Sequence, residues 1–139
     1  MAHINTYLTF SGNCREAMTF YQDCLGGDLA LQTIGETPMA ERLPPTMKEY
    51  ILHATLSKGA LMLMGSDMVG EQGRISGNAV SLVLHGESED EIQTFYTKLS
   101  SDGGRATQAL ETTFWGALFG GLTDKFGNHW LIIFDKNKI

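Results

Sequence analysis

Basic residues are scarce in this chain: 10 Lys and Arg stand against 16 Asp and Glu, giving a net charge of −6. Proteins that grip nucleic acid neutralise phosphates with a cationic patch. No such cluster is present, and that class is excluded. Long apolar runs are missing too. The longest are short stretches such as 60–64 and 130–134, well below the roughly 20 residues of a membrane helix. The opening Met1-Ala2-His3-Ile4-Asn5-Thr6 lacks a basic segment followed by an apolar one, so no secretory signal is expected. What remains, 139 residues with 42% hydrophobic and 19% charged side chains, is enough for one domain with a real core. It is too apolar for a disordered chain.

Cysteine is nearly absent. Cys14 and Cys24 fall on one expected helix, ten positions apart, which is about 15 Å along the axis. A disulfide tolerates a Cα separation of only about 7 Å. Both therefore read as free, core-packing thiols, and free thiols without a signal point to the cytoplasm.

The chain repeats itself. Residues 7–25 and 81–99 both run strand, glycine turn, capped helix with Thr-Phe-Tyr, then a Gly-Gly stop at Gly26-Gly27 and Gly103-Gly104. The Thr-Phe-Tyr triplets lie 75 positions apart and the Gly12/Gly86 turns 74, so one residue of slip separates the registers. In the first helix Cys14, Ala17, Met18, Tyr21, Cys24 and Leu25 form one apolar stripe. Asn13 is the natural N-cap with Glu16 at N3, and Gly26 ends the helix. In the second, Ile92, Phe95, Tyr96 and Leu99 form the stripe, and Ser88 with Glu91 makes a capping box. These aromatics read as core.

Elsewhere the apolar period is two. Ile4, Thr6, Leu8 and Phe10 share one strand face while His3, Asn5, Tyr7 and Thr9 share the other. Tyr50, Leu52, Ala54 and Leu56 similarly oppose Glu49, Ile51, His53 and Thr55. Further strands are expected at 29–34, 59–65, 79–85, 105–110, 113–120 and 129–134. Each half thus reads strand, helix, three strands, the first over 1–70 and the second over 71–139 of a single domain. A face carrying Asn5, Tyr7, His53 and Thr55 suits a partly polar pocket. Residues 36–48, broken by Pro38, Pro44 and Pro45, form either a lid that closes Met39, Leu43 and Met47 onto a ligand or an ordinary surface loop.

The opening Tyr7-Leu8-Thr9-Phe10-Ser11-Gly12-Asn13-Cys14-Arg15-Glu16-Ala17, with Phe20-Tyr21 and Leu25-Gly26-Gly27, carries a family resemblance. So does the end: Glu111-Thr112-Thr113-Phe114-Trp115-Gly116, Phe119-Gly120, Asp124-Lys125-Phe126-Gly127 and Trp130. With the duplicated plan, nearly the whole chain resembles the vicinal oxygen chelate superfamily of glyoxalase I, bleomycin-resistance proteins and extradiol dioxygenases, and within it the PhnB-like group. The resemblance implies an α+β fold of two βαβββ modules, a curved mixed sheet with a concave cavity, and a homodimer.

In metal-dependent members, four cavity-facing side chains hold a divalent cation that acts as a Lewis acid. Carried onto this chain, those positions fall on Asn5, on His53, near Asn78 (Ala79 or Val80 with a register slip) and on Leu131 (Trp130 or Ile132 with a slip), with His129 nearby. Of the four, His53 is the one good ligand, and a catalytic zinc site normally wants three protein ligands. A bound divalent metal is therefore disfavoured, with His53 the weak candidate. Fold does not supply chemistry by itself. The expectation is a cytoplasmic binder of a small organic molecule, lined by Asn5, Tyr7, His53, Thr55, Phe114, Trp115 and Phe119, with no nucleic-acid or membrane partner. The alternatives are a metal-assisted lyase, isomerase or dioxygenase, with Tyr7 and His53 as candidate catalytic groups, and a dimeric module with a vestigial pocket. The group's labels of phosphonate utilisation and methyl transfer are not expected to carry over, because no Arg/Lys cluster and no adenosyl-methionine motif is present.

Overall fold

The computed structural model describes residues 2–70 and 72–135. The chain divides into two compact units, Met1–Ile75 and Ser76–Ile139. The first runs β1 (Thr6–Thr9), α1 (Cys14–Leu25), β2 (Asp28–Thr33), β3 (Ile51–Lys58) and β4 (Leu61–Ser66). The second runs β5 (Leu82–His85), α2 (Glu89–Leu99), β6 (Arg105–Thr112), β7 (Ala117–Thr123) and β8 (His129–Asp135). Each unit is one four-stranded mixed sheet, ordered β1-β4-β3-β2 and β5-β8-β7-β6, whose first strand pairs in parallel with its last. The helix supplies the crossover that a parallel pair requires. The fold is thus the α+β, duplicated βαβββ arrangement that the repeat predicts.

The first helix buries the stripe read from its periodicity: Cys14, Ala17, Met18, Tyr21, Cys24 and Leu25 are all buried. They pack on Phe10, Ala54, Leu56 and Leu63 of one sheet face, where Gly65 leaves room for Met18 and Cys14. Ile51 is also fully buried, against the alternation that puts it with His53. The reason is a bulge: Gln32 pairs with His53 but Thr33 pairs with Ile51, so the strand skips a residue and its faces exchange there.

Asn13 occupies the N-cap position, but its side chain makes no capping bond. Asp67, just past β4, caps the helix instead: its Oδ1 accepts from the N–H groups of Gly12 (2.8 Å) and Cys14 (2.9 Å). The second helix caps locally, with Ser88 Oγ accepting from Glu91 N–H. The Glu91 carboxylate reaches Glu87 N–H, one residue earlier than the box predicts. On α2 only Ile92 and Leu99 are fully buried; Phe95 and Tyr96 are half-buried. The Tyr96 hydroxyl donates to Gln108 O at 2.8 Å, a polar tip that keeps the ring at the margin.

The ladders correct the internal alignment. The last β1–β4 pair, Thr9 with Ser66, matches the last β5–β8 pair, His85 with Ile133. The next backbone bond, Phe10 N–H to Ser66 O, matches Gly86 N–H to Ile133 O. Gly86 therefore stands where Phe10 stands, not where Gly12 does. The first unit has one extra residue between strand and helix, a slip of the same size as the glycine spacing gives but opposite in sense.

Both cysteines are buried thiols outside any disulfide. Burial, with a smaller contribution from the Asp67 charge, pushes the Cys14 thiol up to about 12. Because its ordinary value is 9.0, the unfolded chain loses this proton before the folded one does. Stability should fall with rising pH between those two values. A Cys14→Ala variant should show a flatter alkaline limb in urea titrations. Thiol labelling of the native protein up to pH 9 should leave Cys14 unmodified, and rapid labelling there would contradict the assignment.

Candidate functional site

Helix α1 covers one face of the first sheet and leaves the other open. Strand alternation and register place Tyr7 and Thr9, Met62 and Met64, His53, Thr55 and Ser57, and Asp28, Ala30 and Gln32 on that open face. Tyr7 pairs with Met64, and Met64 with Thr55. Tyr7 and His53 belong to strands that both flank β4, and His53 lies two residues along β3 from Thr55, the residue level with Tyr7, so their backbones lie about 12 Å apart. Their ring centroids are nevertheless only 6.4 Å apart, with planes at 28°. The rings lean toward each other over β4. Tyr7 stays 52% exposed, so the pair faces outward and is not core.

The predicted residues thus divide. Tyr7, His53 and Thr55 come together on one face, as read. Asn5 lies just ahead of β1 and is exposed. Met64 and Gln32 join the face although sequence reading passed over them; the period-two pattern of β2 and β4 carried the signal. Phe114 and Trp115 are not on a strand, because β7 begins only at Ala117. They form a hairpin turn closed by Thr113 N–H to Ala117 O (2.7 Å), with Gly116 at φ 91°. Phe114 is 99% exposed and stacks edge-on against Trp115, which in turn meets Phe119 at 6.4 Å. These three aromatics form a separate group on the second unit.

Residues 34–50 fold into three short 3-10 turns, Ile34–Glu36, Pro38–Glu41 and Pro45–Met47. Ile34 N–H to Tyr50 O and Gly35 N–H to Lys48 O, each 2.9 Å, close the neck of this loop. Met39, Leu43 and Met47 are half-buried in it.

Internal symmetry tests the proposed metal positions. Leu131 on β8 matches Met64 on β4, since each lies two residues before the end of its ladder. His53 on β3 instead matches Phe119 on β7, because Ala54 pairs with Gly65 as Gly120 pairs with Ile132. Asn5 matches Ser81, each just ahead of its strand. The symmetric set is Asn5, Met64, Ser81 and Leu131: an amide, a thioether, a hydroxyl and a hydrocarbon. That donor set does not suit a hard or borderline divalent ion. Trp130 and Ile132, the slipped alternatives, are buried, and Trp130 Nε1 donates to Asp124 Oδ2. His129 is engaged at both ring nitrogens. Nε2 lies 2.9 Å from Gly77 O and must donate, and Nδ1 shares a 2.9 Å hydrogen bond with the Thr123 hydroxyl. Among the described residues, no group of three or more His, Cys, Asp or Glu gathers to hold a metal.

Residues 3–132 match the Glyoxalase/Bleomycin resistance protein/Dioxygenase superfamily, and the chain belongs to it. Within that class it is 33% identical over 138 residues to Protein YjdN of Escherichia coli (strain K12), covering 93% of this chain and 92% of that one. The crystal structure of protein PA1353 from Pseudomonas aeruginosa superposes with a TM-score of 0.84 at 35% identity, over 97% of this chain and 98% of that one. A PhnB protein from Bacillus cereus follows the same fold, with a TM-score of 0.71 and 26% identity over 96% and 99% of the two chains.

Proposed function

We propose that this protein binds a small organic molecule on the open face of its first sheet, at the Tyr7–His53 pair, without a complete catalytic metal site. The observation that carries this reading is the pair itself. Two aromatic rings from non-adjacent strands meet over β4, with one of them half in solvent. Tyr7 offers a hydroxyl, His53 offers a donor and an acceptor, and both offer π-faces. The protein acts as a homodimer in the cytoplasm on this reading. The buried Cys14 and Cys24, outside any disulfide, fit a reducing compartment. The same contact favours a second reading, in which Tyr7 and His53 are an acid–base couple for a reaction on the bound molecule.

Native mass spectrometry of protein purified without chelators tests the proposal. The expected result is a metal-free dimer carrying a small organic adduct, and His53→Ala should lose that adduct while remaining a dimer. A dimer with about one divalent ion per chain, retained by His53→Ala, would overturn the metal-free reading. Unchanged adduct in His53→Ala would remove the site from this face. Turnover of the identified adduct by wild type, abolished in both His53→Ala and Tyr7→Phe, would establish the acid–base reading.

A further inference from the structure

We infer that the site selects an uncharged, planar ligand with hydrogen-bonding groups at its rim, of the aromatic-amide type, and rejects carboxylates and phosphonates. The inference rests on the ligand-binding reading above and adds the ligand's chemical class. The open face carries no Lys or Arg side chain, and Asp28, at the first residue of β2, is its one carboxylate. Lys58, the basic residue of β3, falls on the opposite side, where its Nζ donates to Leu25 O at 3.2 Å. An anion set down on this face would lose hydration with no Lys or Arg to replace it. It would also approach a chain of net charge −6.

The uncharged groups are arranged by polarity. Met64 lies at the centre, between Tyr7 and Thr55 in the ladder. Its thioether is a soft, polarizable floor for an aromatic ring. The half-exposed Tyr7 ring offers a face for stacking. Gln32 stands directly across from His53 in the β2–β3 pairing. Its amide supplies both a donor and an acceptor, the complement of a ligand carboxamide.

The test uses the full chain with 13C-methyl methionine, the Met64 signal being assigned by Met64→Leu. Benzamide, benzoate and phenylphosphonate share a ring and differ in charge. Benzamide is expected to shift the Met64 methyl saturably, and the two anions to need at least about tenfold more. Gln32→Leu is expected to weaken benzamide about fivefold, the value of one hydrogen bond. An anion that shifts Met64 at equal or lower concentration overturns the charge assignment and leaves the site in place. If none of the three shifts Met64, the aromatic-amide assignment falls. If His53→Ala also retains the native adduct, the ligand-binding reading falls with it.

Discussion

Gly86→Ala is expected to destabilise the second unit by about 3 kcal/mol, the upper end for overpacking a core. A Cβ at Gly86 would overlap Ile92 Cγ2, where carbon atoms in contact need about 3.5 Å or more. Neither side yields easily. The Gly86 N–H is bonded to Ile133 O at 2.9 Å, and Ile92 is fully buried on α2. The first unit solves the same problem in reverse. Phe10 stands at the glycine's place, with Ala17 opposite it at the third helical position beyond the first, and Gly65 stands where the second unit has Ile132. Large and small residues have exchanged positions between the halves, so each core fills with a different set. A double-mutant cycle with Ile92→Ala checks this. Ile92→Ala alone should cost about 3 kcal/mol by leaving a cavity, and the double variant should cost clearly less than the sum. Urea midpoints that add, or a Gly86→Ala variant within about 0.5 kcal/mol of wild type, would refute the packing argument.

This exchange shows why the fold was legible in the sequence while the internal alignment was not. Periodicity reports which face of an element is buried. It does so well where the helix is regular: the six positions of the Cys14–Leu25 stripe are the six that are buried. Glycine spacing reports a turn, but not which residue of a neighbouring ladder it stands beside. Aligning Gly12 with Gly86 therefore matched two glycines that do different jobs. Gly12 offers an amide to Asp67, whereas Gly86 makes room for Ile92. The same limit affected the site. Tyr7, His53 and Thr55 were readable because alternation fixes their face. Phe114 and Trp115 were misplaced because an aromatic run at a strand's expected start looks like strand, and only the Thr113–Ala117 bond reveals the turn. His53 is placed by the Lys58-Gly59 turn that follows its strand and Leu131 by the Phe126-Gly127 turn that precedes its own, yet the two occupy different strands of the repeat.

The least legible residue is Asp67, and its removal should have the largest effect on the first unit. It follows a strand and resembles any solvated loop acid, yet it is only 4% exposed. Its carboxylate accepts three backbone N–H groups: Gly12 and Cys14 at Oδ1, and Ile51 at Oδ2 (2.8 Å). Its own N–H returns a bond to Ile51 O at 2.8 Å. One side chain thus ties together the start of α1, the start of β3 and the end of β4, and sets a negative charge at a helix N-terminus where the dipole favours it. Asp67→Ala leaves two buried donors, Cys14 and Ile51 N–H, and the part-buried Gly12 N–H unmet, and is expected to cost about 4 kcal/mol. Asp67→Asn keeps an oxygen for Gly12 and Cys14 but turns an NH₂ group toward Ile51 N–H, and should cost about half as much. Urea denaturation measures the loss. Hydrogen exchange at the amides of Gly12, Cys14 and Ile51 localises it, with Ile51 alone deprotected in the Asn variant. Loss of less than about 1 kcal/mol in Asp67→Ala, or protection unchanged at all three amides, would show that the clamp is dispensable. Because Ile51 lies two residues before His53 and Ser66 ends the strand beneath the Tyr7–His53 rings, a loosened clamp should also weaken ligand retention on that face. The acid that caps the helix therefore also holds in register the strands on which the two rings stand.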